Sequence, residues 1–365
     1  MINTAIIGTG NIARLHIEGL LAYPARCQMT ALANRTPKKA EEINAKYGLN
    51  AEVCGDYKKI LERDDVDFVV ICTPPFTHAE ITVAALIAGK HVLVEKPMAS
   101  SLEECDAMLE AAEKSGKILS VVAQNRFKPE FIKLKKTLES GLAGKILHAQ
   151  VNSHWWRGHA YYDTWWRGTW DKEGGGCTLN HAVHHIDAML WMTGLPLEVK
   201  AMTANVAHDN AEVEDLSIAL LKFKSGALGQ ITSSVVHHGQ EQDIIFQCEK
   251  ARISAPWKIY ASLPREDGFP YSYPDQNTQN KIEEFYTGLR VKDYGSLYQA
   301  QIDDVLTAIE TGSNVLINGE DGRKTLELIT AVYKSASSDQ TVKLPLAGND
   351  PFYTARGIVE NVKRF

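Results

Sequence analysis

Near its N-terminus the chain reads Thr4-Ala5-Ile6-Ile7-Gly8-Thr9-Gly10-Asn11-Ile12-Ala13, a short apolar run closed by a glycine turn. The run suits a buried strand, and the pattern from 11 to about 21 is helical, so the glycines join a strand to a helix. Lacking a Cβ, Gly8 permits the tight turn and Gly10 lets the backbone approach a pyrophosphate, while Ala13 keeps helix and strand close. The N–H groups that open the helix, about Asn11 and Ile12, turn a partial positive charge toward the phosphates. Gly8, Gly10, Asn11 and Ile12 are therefore expected to bind a dinucleotide.

The units that follow repeat this grammar. Strand patterns at 29–33, 67–72, 91–95 and 118–123 alternate with helical patterns at 37–47, 77–88 and 101–115, the last two stopped by Gly89 and Gly116. Residues 67–72 are continuously apolar, as a parallel strand covered on both faces requires. Repeated β-α units with right-handed crossovers predict a doubly wound parallel sheet over residues 1–124. Beyond Gln124 the pattern changes to a helix at 130–140, an alternating strand at 146–153, an irregular aromatic stretch and a helix over about 178–192. Runs at 199–207, 216–223, 227–236 and 243–248 then follow without intervening helices, which predicts an antiparallel sheet. Residues 256–294, rich in Pro, Gly, Asp, Asn and Tyr, read as a long ordered excursion, and helices at about 297–311 and 322–335 come after it. The chain thus divides into a dinucleotide-binding unit, 1–124, and a second α/β unit, 125–365.

The 365 residues carry 39 Lys+Arg against 45 Asp+Glu, a net charge of −6, which argues against a nucleic-acid or anionic-membrane partner. No apolar stretch approaches the ~20 residues a membrane helix needs. The six cysteines stand singly at Cys27, Cys54, Cys72, Cys105, Cys177 and Cys248, with no CxxC pair, and read as reduced and buried. A strand pattern from the first residues leaves no room for a secretory leader, so a cytoplasmic protein is expected.

Strand ends are where doubly wound sheets place their ligands. At the second such end, Asn34-Arg35 stands where a carboxylate would select NAD, so nothing repels a 2′-phosphate. Arg35 could pair with one, or stack on adenine while Asn34 binds the ribose, which leaves NAD and NADP both open. Glu95-Lys96-Pro97 closes a later strand, and a Lys beside an oxidised nicotinamide should have its ammonium disfavoured. In Gly174-Gly175-Gly176-Cys177-Thr178-Leu179-Asn180-His181-Ala182-Val183-His184-His185-Ile186-Asp187, a helix from about Thr178 would put Asn180, His184 and Asp187 on one face. A neutral imidazole there can accept a hydroxyl proton near physiological pH. His181 and His185 form a second i, i+4 pair turned away by about 100°. With no HExxH and no Cys cluster, a zinc site is not expected, and packing or rim roles suit that pair better.

Together these elements resemble the Gfo/Idh/MocA oxidoreductases, through GTGNIA, CTPPFTHAEITVAALIAGKHVLVEKPMA, the GGG-to-HHID segment and NGEDGRKTLELITAVYKSA. The resemblance implies an N-terminal Rossmann domain followed by an α/β domain with a large, mostly antiparallel open sheet, whose face forms homodimers or homotetramers. It also implies that Lys96 is the family's EKP lysine and His184 its catalytic histidine. Asn180 departs from an Asp common there; it can orient a hydroxyl or the imidazole but carries no charge, so base duty falls to His184 with Lys96. Asp187 matches an acid of structural character. Thr73, Pro74 and His78 resemble the loop near the nicotinamide, beside Glu95 and Lys96, and Gln124, Asn125 and Arg126 resemble the link between domains.

Five of the seven Trp fall in residues 154–170, just ahead of the histidine helix. Aromatic rings stack on the apolar faces of sugars, and Trp155, Arg157, Tyr162, Trp166 and Arg167, with Arg126, His181, Lys96, Asn180 and His184, are the expected substrate contacts. Interface or core packing is the other reading of the aromatics, and the two Arg would also suit a carboxylate or phosphate on the substrate. The function expected is an NAD- or NADP-dependent dehydrogenase of a secondary alcohol on a sugar, glycoside or cyclitol, with no metal. A redox-neutral enzyme that cleaves glycosides with permanently held nicotinamide is one rival, and an inactive nucleotide-sensing regulator is another.

Overall fold

The computed structural model describes residues 1–264, 272–362 and 364–365. The first part alternates β1 (Ile2–Ile7), α1 (Ala13–Leu21), β2 (Cys27–Ala33), α2 (Pro37–Tyr47), β3 (Glu52–Cys54), α3 (Lys58–Leu61), β4 (Phe68–Ile71), α4 (His78–Ile87), β5 (His91–Val94), α5 (Leu102–Ser115) and β6 (Leu119–Val121). Its six strands form one parallel sheet ordered β3-β2-β1-β4-β5-β6. All four residues of β4 are buried, as expected of a central strand with helices on both faces. β3 has no counterpart in the sequence reading; at three residues it is too short to show a periodicity.

The second part runs α6 (Pro129–Glu139), β7 (Ile146–His154), α7 (Val183–Thr193), β8 (Glu198–Ala204), β9 (Leu216–Lys222), β10 (Leu228–Ser234), β11 (Gln242–Cys248), β12 (Ala251–Ala255), β13 (Lys258–Pro264), β14 (Ser272–Pro274), α8 (Gln276–Gly288), α9 (Leu297–Thr311), α10 (Gly319–Ser338), β15 (Val342–Lys343) and α11 (Ala355–Asn361). Nine strands make a sheet ordered β14-β13-β12-β11-β7-β10-β9-β8-β15, antiparallel except for the β7–β10 pair. The expected excursion at 256–294 instead contributes β13, β14 and α8, apart from 265–271, which lie outside the described residues. Pro256 precedes β13, and Pro264 and Pro274 close β13 and β14, so these prolines mark strand ends rather than an absence of strands.

Alternation decides which side of the larger sheet is buried. Val199, Ala201, Ala219, Leu221, Ile231, Val151, Ile244 and Phe246 face α7 and α10 and form the core. The opposite face leaves Met202, Ile218, Leu220, Leu228 and Tyr260 exposed, Met202 to 75%. α10 starts three residues earlier than its apolar pattern suggests, because Asn318 and Asp321 form a reciprocal capping box. Although it follows the second sheet in sequence, α9 buries Ile302, Val305 and Leu306 against Ile17 and Leu20 of α1, on the parallel sheet.

Candidate active site

The crevice above the parallel sheet opens where β1 and β4 diverge in connection, the switch point at which such sheets bind ligands. A Cβ on Gly8, whose φ is +92°, would lie 2.7 Å from the Cys72 carbonyl and 2.9 Å from the Thr73 nitrogen. Only glycine permits that contact, whereas a Cβ on Gly10 would meet nothing within 4 Å and so faces open space. α1 begins with no side-chain cap; the Ala13 and Leu15 N–H groups close short turns onto the Gly10 and Ile12 carbonyls at 3.2 and 3.0 Å. Asn34 donates to Thr9 Oγ1 at 2.6 Å and accepts from the Thr36 N–H at 2.9 Å, which ties the β2 end to the glycine turn. Gln124 Oε1 is buried with no hydrogen-bond partner. An open cradle, an uncapped helix start and an orphaned acceptor fit a dinucleotide, which would supply hydride chemistry at its nicotinamide.

Glu95 and His78 take positions other than the expected cofactor contacts. Glu95 is buried and its Oε1 lies 2.8 Å from His16 Nε2 of α1; its Oε2 accepts the Lys96 N–H at 3.1 Å. Burial pushes this carboxyl up, but the His16 bond and the charges of His16 and Lys96 outweigh it and hold it below the usual range. His78 bridges the two loops, with Nδ1 2.8 Å from the Pro97 carbonyl and Nε2 2.8 Å from that of Thr73. Both residues therefore fasten the loops beneath the crevice. Lys96 Nζ donates to the Asn180 carbonyl at 3.0 Å, and burial, reinforced by the Arg167 charge, lowers its pKa against the pull of Glu95 and Glu173.

The expected single helix over 178–192 begins instead with a π turn, Thr178–Ala182, ahead of α7. Such turns insert a residue into the ladder and recur at functional sites. Just ahead of the turn the backbone packs tightly enough to require glycine: a Cβ on Gly176 would lie 1.8 Å from the Glu214 carbonyl oxygen. Glu214, which no sequence signal singled out, is wholly buried and accepts from the N–H groups of Gly176 and Thr178 and from the Tyr333 hydroxyl. The Asn180 amide donates back to the carbonyls of Gly175 and Gly176 at 2.8 and 3.3 Å. It thus holds the turn, and Lys96 meets its main chain rather than its side chain.

His184 and Lys96 line the same small cavity, about 20 Å³, with Asp187 and Thr325. Burial, then the Lys96 charge, pushes the His184 pKa well below its ordinary value, so the ring is neutral. His184 is half-buried, and among the described residues neither ring nitrogen has a hydrogen-bond partner. Arg126 differs from its expected role as a substrate contact. Its guanidinium is buried and bidentate on Asp187 at 2.8 Å, with Asp321 at 3.1 Å, so it ties the interdomain link to α7 and α10.

The aromatic segment splits between the two expected uses. Tyr162 and Trp170 are buried in the core, against His208 and Tyr333, which removes Tyr162 from the expected substrate contacts. Its neighbour Tyr161 turns to the site instead, beside His181 at 5.4 Å and under Arg167 at 4.2 Å. Trp155 stands 5.9 Å from His181, Arg157 lies over Trp155 and Tyr161, and Arg167 also stacks on Trp166 at 4.5 Å. Arg167 donates to Glu173 at 3.0 Å and to the Tyr161 hydroxyl. Burial pushes Glu173 up to about 7. Trp165, 56% exposed, reaches across to the first domain, where it meets Phe76 edge-on and Arg35 at 5.8 Å. The signals for Tyr161, Trp165 and Glu173 were present as the aromatic cluster and the acid before the glycines, but which members face inward is a tertiary matter. Among the described residues no cluster of three or more His, Cys, Asp or Glu could hold a metal, and no helix is long and apolar enough to cross a membrane.

Residues 2–123 match the oxidoreductase family with an NAD-binding Rossmann fold, and residues 131–254 match the GFO/IDH/MocA C-terminal domain. The chain is 27% identical over 344 residues to a myo-inositol 2-dehydrogenase from Thermotoga maritima, covering 93% of this chain and 97% of the relative. A levoglucosan dehydrogenase from Pseudarthrobacter phenanthrenivorans is 26% identical over 398 residues, with 94% and 98% covered. The crystal structure of the WlbA dehydrogenase from Bordetella pertussis in complex with NADH and UDP-GlcNAcA superimposes with a TM-score of 0.81 at 28% identity, covering 95% of this chain and 98% of that one. With the Rossmann half and the second sheet both matched in order, the chain belongs to the GFO/IDH/MocA family of NAD-binding oxidoreductases.

Proposed function

We propose that this protein is an NAD- or NADP-dependent dehydrogenase that oxidises a secondary alcohol of a sugar, glycoside or cyclitol, or reduces the corresponding ketone. The observation that carries the reading is that Lys96, just past the end of β5, and His184, in α7, line one cavity. The neutral His184 imidazole accepts the hydroxyl proton at a ring nitrogen. Lys96 Nζ, with two N–H bonds left beyond that to Asn180, donates to the same oxygen as it gains charge. A nucleotide held at the glycine turn, Gly8 and Gly10, and at the start of α1 would supply the hydride acceptor. Inositol and levoglucosan dehydrogenases among the relatives support the substrate class.

The domain division lies near residue 124, where the interdomain link begins. A second copy on the open face of the larger sheet would cover Met202, Ile218, Leu220, Leu228 and Tyr260 and make a homodimer or homotetramer. Six free, buried thiols suit a reducing compartment such as the cytoplasm. The test is a panel of sugars, glycosides and inositols with NAD and with NADP, read by the absorbance of reduced nicotinamide. Turnover lost in His184→Ala with nucleotide binding retained supports the reading; turnover of no member of the panel rejects it.

A further inference from the structure

Positive charge outnumbers negative charge around the proposed reacting carbon. Lys96, Arg157 and Arg167 all bear on His181, lowering its pKa after burial has done most of the work. Arg167 is answered by Glu173 at 3.0 Å, and Glu95 lies beneath Lys96, held to His16. Arg157 has no such answer: among the described residues no carboxylate is in ion-pair contact with it. Its guanidinium is half-buried, donates once to the Trp156 carbonyl at 2.8 Å, and lies over Trp155 at 5.1 Å and Tyr161 at 5.4 Å.

A second observation marks the same place. His181, only 7% exposed, has its ring between Trp155 and Tyr161, and its Nδ1 is buried with no hydrogen-bond partner. A buried polar atom without a partner is costly, so one beside a candidate site calls for a hydrogen-bond partner that a ligand oxygen can supply. An oxidised nicotinamide beside Lys96 would add another positive charge to this corner.

We infer that the substrate is a sugar acid, a uronate or aldonate or a glycoside of one, whose carboxylate is received by Arg157 while an adjacent oxygen completes Nδ1 of His181. The inference deepens the dehydrogenase reading and rests on it for the position of the reacting carbon. One uncompensated, planar guanidinium matches the two oxygens and single charge of a carboxylate, with which it can form a bidentate pair. The aromatic rings behind Arg157 hold it in one orientation, so little freedom is lost when the acid binds.

The test sets hexuronates and aldonates beside the neutral sugars of the same ring configuration, with the nucleotide-loaded protein. Binding is read by tryptophan fluorescence and calorimetry, and turnover is read separately by nicotinamide absorbance. The acids should bind about 10- to 100-fold more tightly than their neutral partners, the range of a charge-assisted bidentate contact. Arg157→Gln should abolish that preference while leaving nucleotide affinity unchanged, and Arg157→Lys should keep part of it. Equal binding of acids and neutral sugars, no binding of any acid, or an equal loss for both in Arg157→Gln overturns the inference. Arg157-dependent binding of acids without nicotinamide reduction would instead reject the dehydrogenase reading and leave the carboxylate site standing.

Discussion

The Lys96 ammonium donates to the main-chain carbonyl of Asn180 at 3.0 Å, although the two residues are 84 positions apart. The contact joins the end of β5 to the π turn ahead of α7, and it depends on the turn's backbone rather than on the side chain at 180. The Asn180 amide in turn holds that backbone through the Gly175 and Gly176 carbonyls.

The two histidine-helix positions should therefore respond differently to substitution. His184→Ala is expected to lower kcat/KM by about 10²- to 10⁴-fold, the usual worth of a positioned base, with nucleotide affinity intact. Asn180→Ala leaves the carbonyl that Lys96 uses and removes only the amide's bonds to the Gly175 and Gly176 carbonyls, so it should lose about 10-fold or less. Because His184 titrates well below its ordinary value, its neutral form persists on acidification. The acid limb of kcat/KM for oxidation should accordingly lie below pH 6.5, the unperturbed imidazole value. Steady-state kinetics over pH check all three expectations, and an Asn180→Ala loss as large as that of His184→Ala would contradict them.

Trp165 crosses from the second domain to Arg35 and Phe76 of the first, at the β2 end of the crevice. A ring in that place should cover bound nucleotide. Trp165→Ala is expected to weaken NAD(P) binding by about 2- to 5-fold, the range of an exposed cation–π contact. Titration followed by energy transfer from tryptophan to reduced nicotinamide reads the change; an unaltered dissociation constant would show that the ring lies clear of the cofactor.

Arg126 is buried between Asp187 and Asp321. Removing Asp187 leaves the buried charge with the partly exposed Asp321 alone, so Asp187→Ala should cost up to about 3–5 kcal/mol of stability, the upper value being that of a fully stranded charge. Denaturant unfolding measures this directly. A loss below about 1 kcal/mol, typical of an exposed pair, would mean that the link is more open than its burial indicates.

Glu173 gives the fold a pH dependence of a definite sign. Burial raises its pKa to about 7 from 4.5, so the folded state holds the proton longer than the unfolded chain does. Its ionisation destabilises, and that cost develops as pH rises from about 4.5 to about 7 and is constant above. The stability of Glu173→Gln relative to wild type should consequently increase across that window, as measured by urea unfolding at several pH values. A difference that stays flat with pH would return Glu173 to an ordinary carboxylate.

Much of this architecture is written locally. The apolar run of β4, the glycine turn ahead of α1 and the stops at Gly89 and Gly116 depend on neighbours a few residues away, so periodicity and turn chemistry reveal them. The placement of Lys96 at a strand end and of His184 in the helix after the glycines follows from the same local rules.

What the tertiary structure alone decided is which of two adjacent residues faces the site and which polar group is already engaged. Tyr161 and Tyr162 are chemically alike, and only the packing of His208 and the core separates the ring that meets His181 from the one that is buried. Arg126 reads as a free cation until Asp187 and Asp321, 61 and 195 positions further on, close around it. Glu214 carries no local mark, and its place follows from the N–H groups of Gly176 and of Thr178, the first residue of the π turn, from which it accepts. Local pattern determines what each segment can form; burial and partnership depend on which distant segments the sheets bring together, and no short window of sequence contains that information.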